Sequence, residues 1–436
     1  MLAPIFAAAL LAAAPVQQPA AADSLLRVFV DCPGFVPGCD FDFLRTELTW
    51  LDYVRNREDA DVHALATTLT TGGGGYEYTV ALIGLHGHAG RVDTLRFSVP
   101  GTATEDERRR AFARHLGLGL VRYAMGTAAA PRLGLTYRAP EGEAGRPAAH
   151  VRDPWNSWVF RLGVNGNANG QKLSRSGNQR GSLSANRTTE AWKLVLSANY
   201  GESNSRFIFE STDTLGVVLS SDTIRSFNKN YGGSASVVRS LGNHLSARVS
   251  GNFSRDTRRN LRSRLNVGPA MEYNFFPYGQ STRRQLTLQA GPGLAYTVYD
   301  DTTIYNKIRE TRPTANVNLS LAVTQPWGNG SAGIGRNVFL DNLAQSNSFV
   351  FAFTSLRLFR GFSVDFSGNY SQVRDQIFLP KGGASRDDLL LQRRALETGY
   401  EYFYFFGVSY RFGSTNNNVV NPRFGGGGGG GFFFFN

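Results

Sequence analysis

Residues 155–413 alternate apolar and polar positions in a series of short runs. In one of the clearest, Leu194, Leu196 and Ala198 alternate with Lys193 and Ser197. Because successive side chains of an extended strand face opposite sides of a sheet, this period of two predicts β-strands with one apolar face. We predict twelve strands, at about 157–168, 181–188, 191–201, 229–240, 244–254, 263–275, 284–299, 312–324, 329–340, 347–358, 362–373 and 399–413.

The connections between these runs favour a membrane barrel over a soluble β-sandwich. Every second connection is tight, as at 240–243, whereas those between are longer, as at 201–226 and 371–398. Outer-membrane barrels have short periplasmic turns and longer outer loops, and tilted strands of about 9–11 residues cross the bilayer. Aromatic side chains, which suit a membrane interface, lie at the short-turn ends: Trp155, Trp158, Trp192 and Trp327. The predicted fold is an all-β transmembrane barrel of about twelve antiparallel strands, with eight or ten strands plus outer hairpins as the alternative.

Composition divides the chain in front of this barrel. Residues 1–150 carry 14 basic and 16 acidic side chains, whereas the remainder carries 32 and 18, so the net charges are −2 and +14. Such asymmetry indicates domains in different surroundings. We predict five segments: 1–22 as a secretory signal peptide, 23–127 as a periplasmic α+β module, 128–154 as a linker, 155–413 as the barrel and 414–436 as a Gly/Phe low-complexity tail.

The predicted module has the order β-α-β-β-β-α. A helix beginning after Asp40 or Asp42 has an apolar face of Phe43, Leu44, Leu48, Leu51 and Val54. A second helix begins with Thr104-Glu105-Asp106-Glu107, which has the form of a capping box. Between the helices, strands at 62–70 and 76–85 flank a glycine-rich turn, and a further strand follows at 92–99. About 100 residues are enough for a core of their own.

Four stretches of the module carry a resemblance to a known family. They are FVDC, CDFDFLRTELTWLDYVRNREDADVHALAT, YEYTVALIG and TEDERRR…GLGLVRY, within residues 29–126. They resemble the front module of an uncharacterised family of bacterial outer-membrane β-barrel proteins. The resemblance implies an N-terminal periplasmic α+β module followed by a barrel, and implies no activity. This chain has Pro- and Gly-rich residues between its two cysteines, where the family's loop differs.

Cys32 and Cys39 are the only cysteines. In an oxidising periplasm the expected state of such a near pair is a disulfide. A metal site is the rival interpretation, but it needs two further ligands, for which only His63, His86 and His88 are candidates. We therefore predict a disulfide, no metal site and no cofactor.

Charged residues of inward parity are the candidate functional residues of the barrel. These lumen-charge candidates are Arg161, Lys193, Arg248, Arg264, Glu272, Asp365, Glu401 and Arg411. Their basic excess would attract anions if the lumen is open, or their charges would pair and fill the interior. A second basic group lies in one predicted outer loop: Arg255, Arg258, Arg259 and Arg262.

No catalytic constellation is apparent. The only histidine of residues 155–413 is His244, next to a predicted periplasmic turn, and paired acids such as Asp387 and Asp388 are of the kind found solvated in loops. We expect no enzyme. Two function classes remain: a narrow outer-membrane channel for small or anionic solutes, or a non-transporting envelope scaffold. The expected partners are membrane lipid and lipopolysaccharide, the barrel-assembly machinery during insertion and a possible periplasmic partner. An envelope location excludes nucleic acid.

Overall fold

Two separate β-sheets organise the chain, one of five strands and one of twelve. The computed structural model describes residues 24–136, 153–212, 214–215, 218–382, 398–414, 418–420 and 423. The predicted signal peptide, most of the predicted linker and most of the Gly/Phe tail lie outside these residues, as do Asp387 and Asp388.

The five-stranded sheet and two helices form the N-terminal module. Its elements are β1 (Leu26–Asp31), α1 (Phe41–Glu47), β2 (Leu51–Tyr53), β3 (Val62–Thr70), β4 (Tyr76–Gly84), β5 (Val92–Val99) and α2 (Glu105–Ala124). The strand order is β2-β1-β3-β4-β5, with β1 parallel to both of its neighbours and the other pairs antiparallel. One apolar core joins sheet and helices, and Leu44, Val80 and Phe112 are fully buried within it.

The first helix is shorter than predicted. Asp40 caps it by accepting hydrogen bonds from the backbone N–H groups of Asp42 and Phe43, but it ends at Glu47. Leu51, predicted on its apolar face, lies instead in β2 and pairs with Leu26 of β1. The same apolar side chains can serve a helix face or a strand, and pairing with the edge of β1 decides for the strand. The capping box of the second helix is present as predicted.

The twelve-stranded sheet is an up-and-down antiparallel meander with the architecture of a β-barrel. Its strands are β6 (Trp158–Gly170), β7 (Ser174–Thr188), β8 (Trp192–Thr212), β9 (Val218–Ser240), β10 (Leu245–Asp256), β11 (Leu261–Asn274), β12 (Arg284–Tyr299), β13 (Arg309–Gln325), β14 (Gly328–Phe339), β15 (Asn342–Phe359), β16 (Phe362–Val373) and β17 (Tyr400–Tyr410). Each strand pairs with its neighbours in sequence, in an order that runs from β17 to β6. The prediction of twelve antiparallel strands is confirmed.

Several predicted strand limits are wrong at one end of the barrel. The predicted loop 201–226 is mostly strand, because β8 and β9 continue as a hairpin whose register extends from Glu202 and Lys229 to Ser211 and Ser220. β7 begins at Ser174, seven residues before its predicted start at 181, which leaves a tight connection to β6. The connection between β14 and β15 is also tight, at 340–341. Strand extensions of polar composition lack the apolar alternation by which the strands were predicted, so the pattern could not show them.

The connections define two ends of the barrel. The short-turn end carries the connections 189–191, 241–244, 275–283, 326–327 and 360–361, and the opposite end carries the others. At the opposite end three loops close over one another around Asn260. Its side chain donates to the backbone oxygens of Asp301 and Phe378, each over 3.0 Å, and Tyr299, Ile377 and Leu379 are buried beneath.

Candidate functional site

The module is seated on the short-turn end of the barrel by a buried ion pair. Asp31, at the end of β1, accepts two hydrogen bonds from the guanidinium of Arg357 near the end of β15, one of them from Nη2 over 2.7 Å. His63 Nε2 lies 3.0 Å from the same carboxylate, and Arg357 lies over the ring of Phe29. Asp31 is 3 % exposed and His63 fully buried, so the charge of this carboxylate is compensated by Arg357 from the other domain.

The contacts with Arg357 and His63 lower the pKa of Asp31. Burial by itself raises the pKa of a carboxyl group, because the charged form loses its hydration. The hydrogen bonds and charges of Arg357 and His63 more than offset that effect and hold the pKa of Asp31 below its ordinary value. The charged carboxylate is therefore the favoured form of Asp31 at neutral pH.

Other contacts extend the interface along both sides of the barrel's first and last strands. Near β15–β17, Arg360 pairs with Asp59 over 2.9 Å and Arg55 donates to the backbone oxygens of residues 412 and 413. On the other side, the β3–β4 turn approaches β6 and β7: a Cβ at Gly72 would lie 2.7 Å from the Thr188 Cβ, and one at Gly74 would lie 3.5 Å from Arg161 Nη2. The module thus bridges the ends of β6–β7 and β15–β17.

A cavity of about 480 Å³ lies between the module and the barrel. Charged side chains of both domains line it: Asp31, Arg45, Arg55, Arg57, Glu58, Arg357, Asp365 and Arg411. Arginine exceeds acid in this group, and the Nε atoms of Arg45 and Arg55 are buried without a hydrogen-bond partner. Of the predicted lumen-charge residues, the structure brings Asp365 and Arg411 together here.

A second cavity, of about 590 Å³, lies inside the barrel at the short-turn ends of β8–β12. It brings together three more of the predicted residues, Lys193, Arg248 and Glu272. Glu272 accepts hydrogen bonds from the Tyr278 hydroxyl over 2.6 Å and from Gln289 Nε2 over 2.5 Å. The carboxylate is thus held by neutral donors, and no ion pair within 4.0 Å joins any two of the eight predicted residues.

The remaining predicted charges lie apart. Arg161 faces the module turn, Arg264 lies toward the opposite end with its Nε 3.3 Å from Asn266 Oδ1, and Glu401 pairs in register with Ser371 at the far end of β17. They belong to neither cavity.

The predicted basic loop is spread over several contacts. Arg262 pairs with Asp300 over 3.2 Å, Arg255 lies over the Tyr231 ring and Arg259 over the Phe378 ring, whereas Arg258 lies in the short helical turn 257–259. Three of the four arginines thus each contact a different neighbouring residue.

Cys32 and Cys39 form a disulfide, with a Cα–Cα distance of 6.6 Å. Within the part of the chain that the structure describes, no group of three or more His, Cys, Asp or Glu side chains is placed to hold a metal ion. His86 and His88 lie in a short helical turn, where His86 Nε2 is 2.9 Å from the backbone oxygen of Glu58. No helix among the described residues is long and apolar enough to cross a membrane.

Sequence reasoning missed the residues that join the two domains. Arg357 follows Ser355 at inward parity, which predicts a lumen-facing cation, and Asp31 ends an apolar strand, which predicts a buried acid. Nothing in the sequence pairs these two residues, which lie 326 positions apart. Sequence reasoning also did not single out Phe403 and Phe405, which pair in register with Asn369 and Ser367 of β16.

Comparison with known proteins gives one family and several distant folds. The model of a family described as "Protein of unknown function, DUF481" matches residues 162–393. Among solved structures, the NanC porin is similar with a TM-score of 0.28 and 8% identity, over 58% of this chain and 98% of that one. The translocator domain of the autotransporter NalP from Neisseria meningitidis is similar with a TM-score of 0.25 and 12% identity, over 58% and 87%. No curated protein matches the chain.

Proposed function

This chain belongs to the DUF481 family of proteins of unknown function, and we propose that it is an outer-membrane channel for small anions. The barrel spans the membrane in this proposal, and the module lies in the periplasm. The outer face supports the membrane location, because large apolar side chains such as Val164, Tyr404 and Phe406 are 83 %, 71 % and 62 % exposed there. A continuous exposed apolar band is what a lipid-facing barrel surface requires.

The arginine-rich cavity at the short-turn end is the observation that carries the anion preference. A solute that leaves the lumen on this side passes between the module and the barrel. Arg357 is already neutralised by Asp31, but Arg411 has no carboxylate within 4.0 Å among the described residues. Fixed cationic charge at a narrow, low-dielectric entrance attracts anions and repels cations, so it sets the selectivity of the path.

The test is the reversal potential of the refolded full chain in a planar bilayer under a potassium chloride gradient. We expect discrete conductance steps with a preference for chloride. Arg248→Glu combined with Arg411→Glu should shift the reversal potential toward that of a cation-selective pore, because both side chains face the lumen cavities.

Arg255→Glu provides the matched control, because its side chain lies over the outward Tyr231 ring and lines neither cavity. It changes the net charge as much as either lumen substitution alone and should leave the reversal potential unchanged, so the comparison is made with each single lumen variant as well as with the pair. A cation-selective wild type, or an equal shift in the control, would refute the assignment of the arginines.

The second candidate is an envelope scaffold that conducts nothing. Its support is the seat of the module, which bridges the ends of four or more strands and thereby covers part of the lumen entrance. A correctly folded protein without conductance would favour this candidate and would leave the exposed side of the module as the surface for a periplasmic partner.

A further inference from the structure

One side of the lumen is aromatic, which a path for hydrated inorganic anions does not require. Strand register places Phe353, Ser367 and Phe405 side by side across β15, β16 and β17. The next inward row places Phe351, Asn369 and Phe403 in the same way. A Cβ at Gly407 would lie 3.3 Å from the Phe405 ring and 3.8 Å from the Asp365 Cβ, so these residues share the inward face.

Not every inward ring of this wall is available to a ligand. Phe351 leans on Gly333 of β14, where an added Cβ would lie 2.6 Å from the ring, and Phe349 covers Gly335 in the same manner. Aromatic rings that cover strand glycines complete the wall of a barrel. The Phe405 ring lies only beside Gly407 of its own strand, at a looser 3.3 Å from an added Cβ. Phe353, Phe403 and Phe405 are 44 %, 53 % and 53 % exposed.

Exposed rings of this kind indicate an apolar guest. A large apolar side chain left in water forgoes the stabilisation that full burial contributes, and clustered exposed apolar side chains mark binding surfaces. The lipid-facing rings of β17 are explained by the membrane, since Tyr402, Tyr404 and Phe406 lie on the opposite face. The membrane does not explain Phe403 and Phe405.

A cationic side chain, Arg411, lies at the end of the same aromatic face. Arg411 follows Ser409 on the inward face of the last strand and lines the cavity beneath the module. It lies six positions after Phe405, which corresponds to a Cα separation of about 20 Å along an extended chain. Between them, Asp365 and Gly407 pair in register, so the middle of the wall carries one negative charge. A second acid group on a guest would be repelled there.

From this arrangement we propose that β15–β17 bind an amphipathic monoanion, such as an alkyl carboxylate. Its acid group lies at Arg411 and its apolar chain lies on Phe405, Phe403 and Phe353. The inference rests on the proposed channel function, because it names the class of solute that the same path accepts. It also has a consequence of its own, since it predicts equilibrium binding whether or not the channel conducts chloride.

Calorimetric titration of hexadecanoate into the full-length protein in lipid nanodiscs tests the site, with empty nanodiscs subtracted, because its extended chain is long enough to reach from the Arg411 guanidinium to Phe405 and Phe403. Phe405→Ala and Arg411→Gln should each weaken hexadecanoate binding by about tenfold, since each removes one of the two groups that hold the guest. Phe406→Ala is the matched control: it removes the same ring from the same strand on the lipid side and should leave the affinity unchanged. Acetate, which has the acid group without the chain, should not bind measurably.

The outcomes separate the two proposals. Binding of hexadecanoate with the predicted loss in both variants supports the site even if no chloride conductance is found. Conductance without hexadecanoate binding overturns the site and leaves the channel intact. Equal losses in Phe405→Ala and Phe406→Ala, with unchanged circular dichroism, would mean that the chain binds at the lipid surface, and this result also overturns the site.

Discussion

The strands of the module and of the barrel both alternate apolar and polar residues, but the apolar face is buried in the module and exposed in the barrel. In the module, Leu44 and Val80 are fully buried in a core shared by sheet and helices. In the barrel, the alternating apolar residues lie on the outer face, where Val164 is 83 % exposed, apart from the inward aromatic side chains of β15 and β17. Alternation alone therefore specifies a sheet with two unlike faces, and the surroundings decide which face is covered. The barrel buries charge mainly at its ends, where the module and the loops contact it.

The largest expected effect comes from separating the two regions at Asp31. Arg357→Gln leaves a buried carboxylate without its cation, and removal of one partner of a buried pair costs about 3–5 kcal/mol. Because the Arg357 side chain is 38 % exposed, we expect the lower end, about 3 kcal/mol. This loss is measured by thermal unfolding of the module in the refolded protein, with intrinsic fluorescence as the signal.

Arg360→Gln is the control for that change. It removes an ion pair with Asp59 at the same interface, but the Arg360 side chain is 57 % exposed, so the loss should stay below about 1 kcal/mol. Equal effects of the two variants would contradict the distinction between a buried and a peripheral contact.

Acid should weaken the same contact. The pKa of Asp31 is lowered in the folded protein, so its contribution to stability is complete above the ordinary carboxyl pKa of about 3.9 and is lost as the pH falls through the lower, folded value. Module unfolding should therefore be insensitive to Asp31 between pH 5 and 7, a range well above about 3.9. Arg357→Gln should remove part of the acid transition; an unchanged transition would contradict the role of this pair.

The disulfide should matter to one region only. Cys32→Ser combined with Cys39→Ser opens a short loop and should lower the free energy of module unfolding by about 2–3 kcal/mol. The barrel should keep its heat-resistant migration on a gel, because neither cysteine belongs to it. Loss of both signals together would show that the barrel folds only with the intact module.

The smallest expected effect is local to α2. Thr104→Ala removes the hydroxyl that accepts from the Glu107 N–H over 3.2 Å, and loss of such a cap costs about 1 kcal/mol. Chemical denaturation of the full chain should show this loss in the module transition and none in the barrel. A loss above that of the disulfide variant would contradict the ranking.

The sequence predicted the strands better where one face is apolar than where both faces are polar. The apolar alternation gave the observed number of twelve strands, but the polar extension of β8 and β9 showed no alternation and was interpreted as loop. In the module, Leu51 fitted a helix face as well as a strand, and only pairing with β1 distinguishes the two. A local sequence pattern therefore predicts an element when one face of that element is apolar and the other is polar.

The candidate site was predicted in part, because alternation along a strand shows which face of the sheet a side chain lies on but not which residue it contacts. Lys193, Arg248 and Glu272 were assigned to the inward face by parity, and the structure brings them to one cavity because their strands lie close together in the sheet. Asp31 and Arg357 could not be joined, because their contact depends on how one domain sits on another. Phe403 and Phe405 were overlooked because β17 is aromatic on both faces, which hides its inward side.

The most direct test of the membrane barrel is the labelling of single introduced cysteines on intact cells with a thiol reagent that does not cross the outer membrane. The native cysteines form a disulfide and should not react. Cysteine in place of Ser176 or Arg259, at the opposite end, should label, whereas cysteine in place of Asn243 or Asn329, at the short-turn end, should label only after the cells are opened. The reverse pattern would contradict a periplasmic module, and labelling of all four positions on intact cells would contradict a barrel that spans the outer membrane.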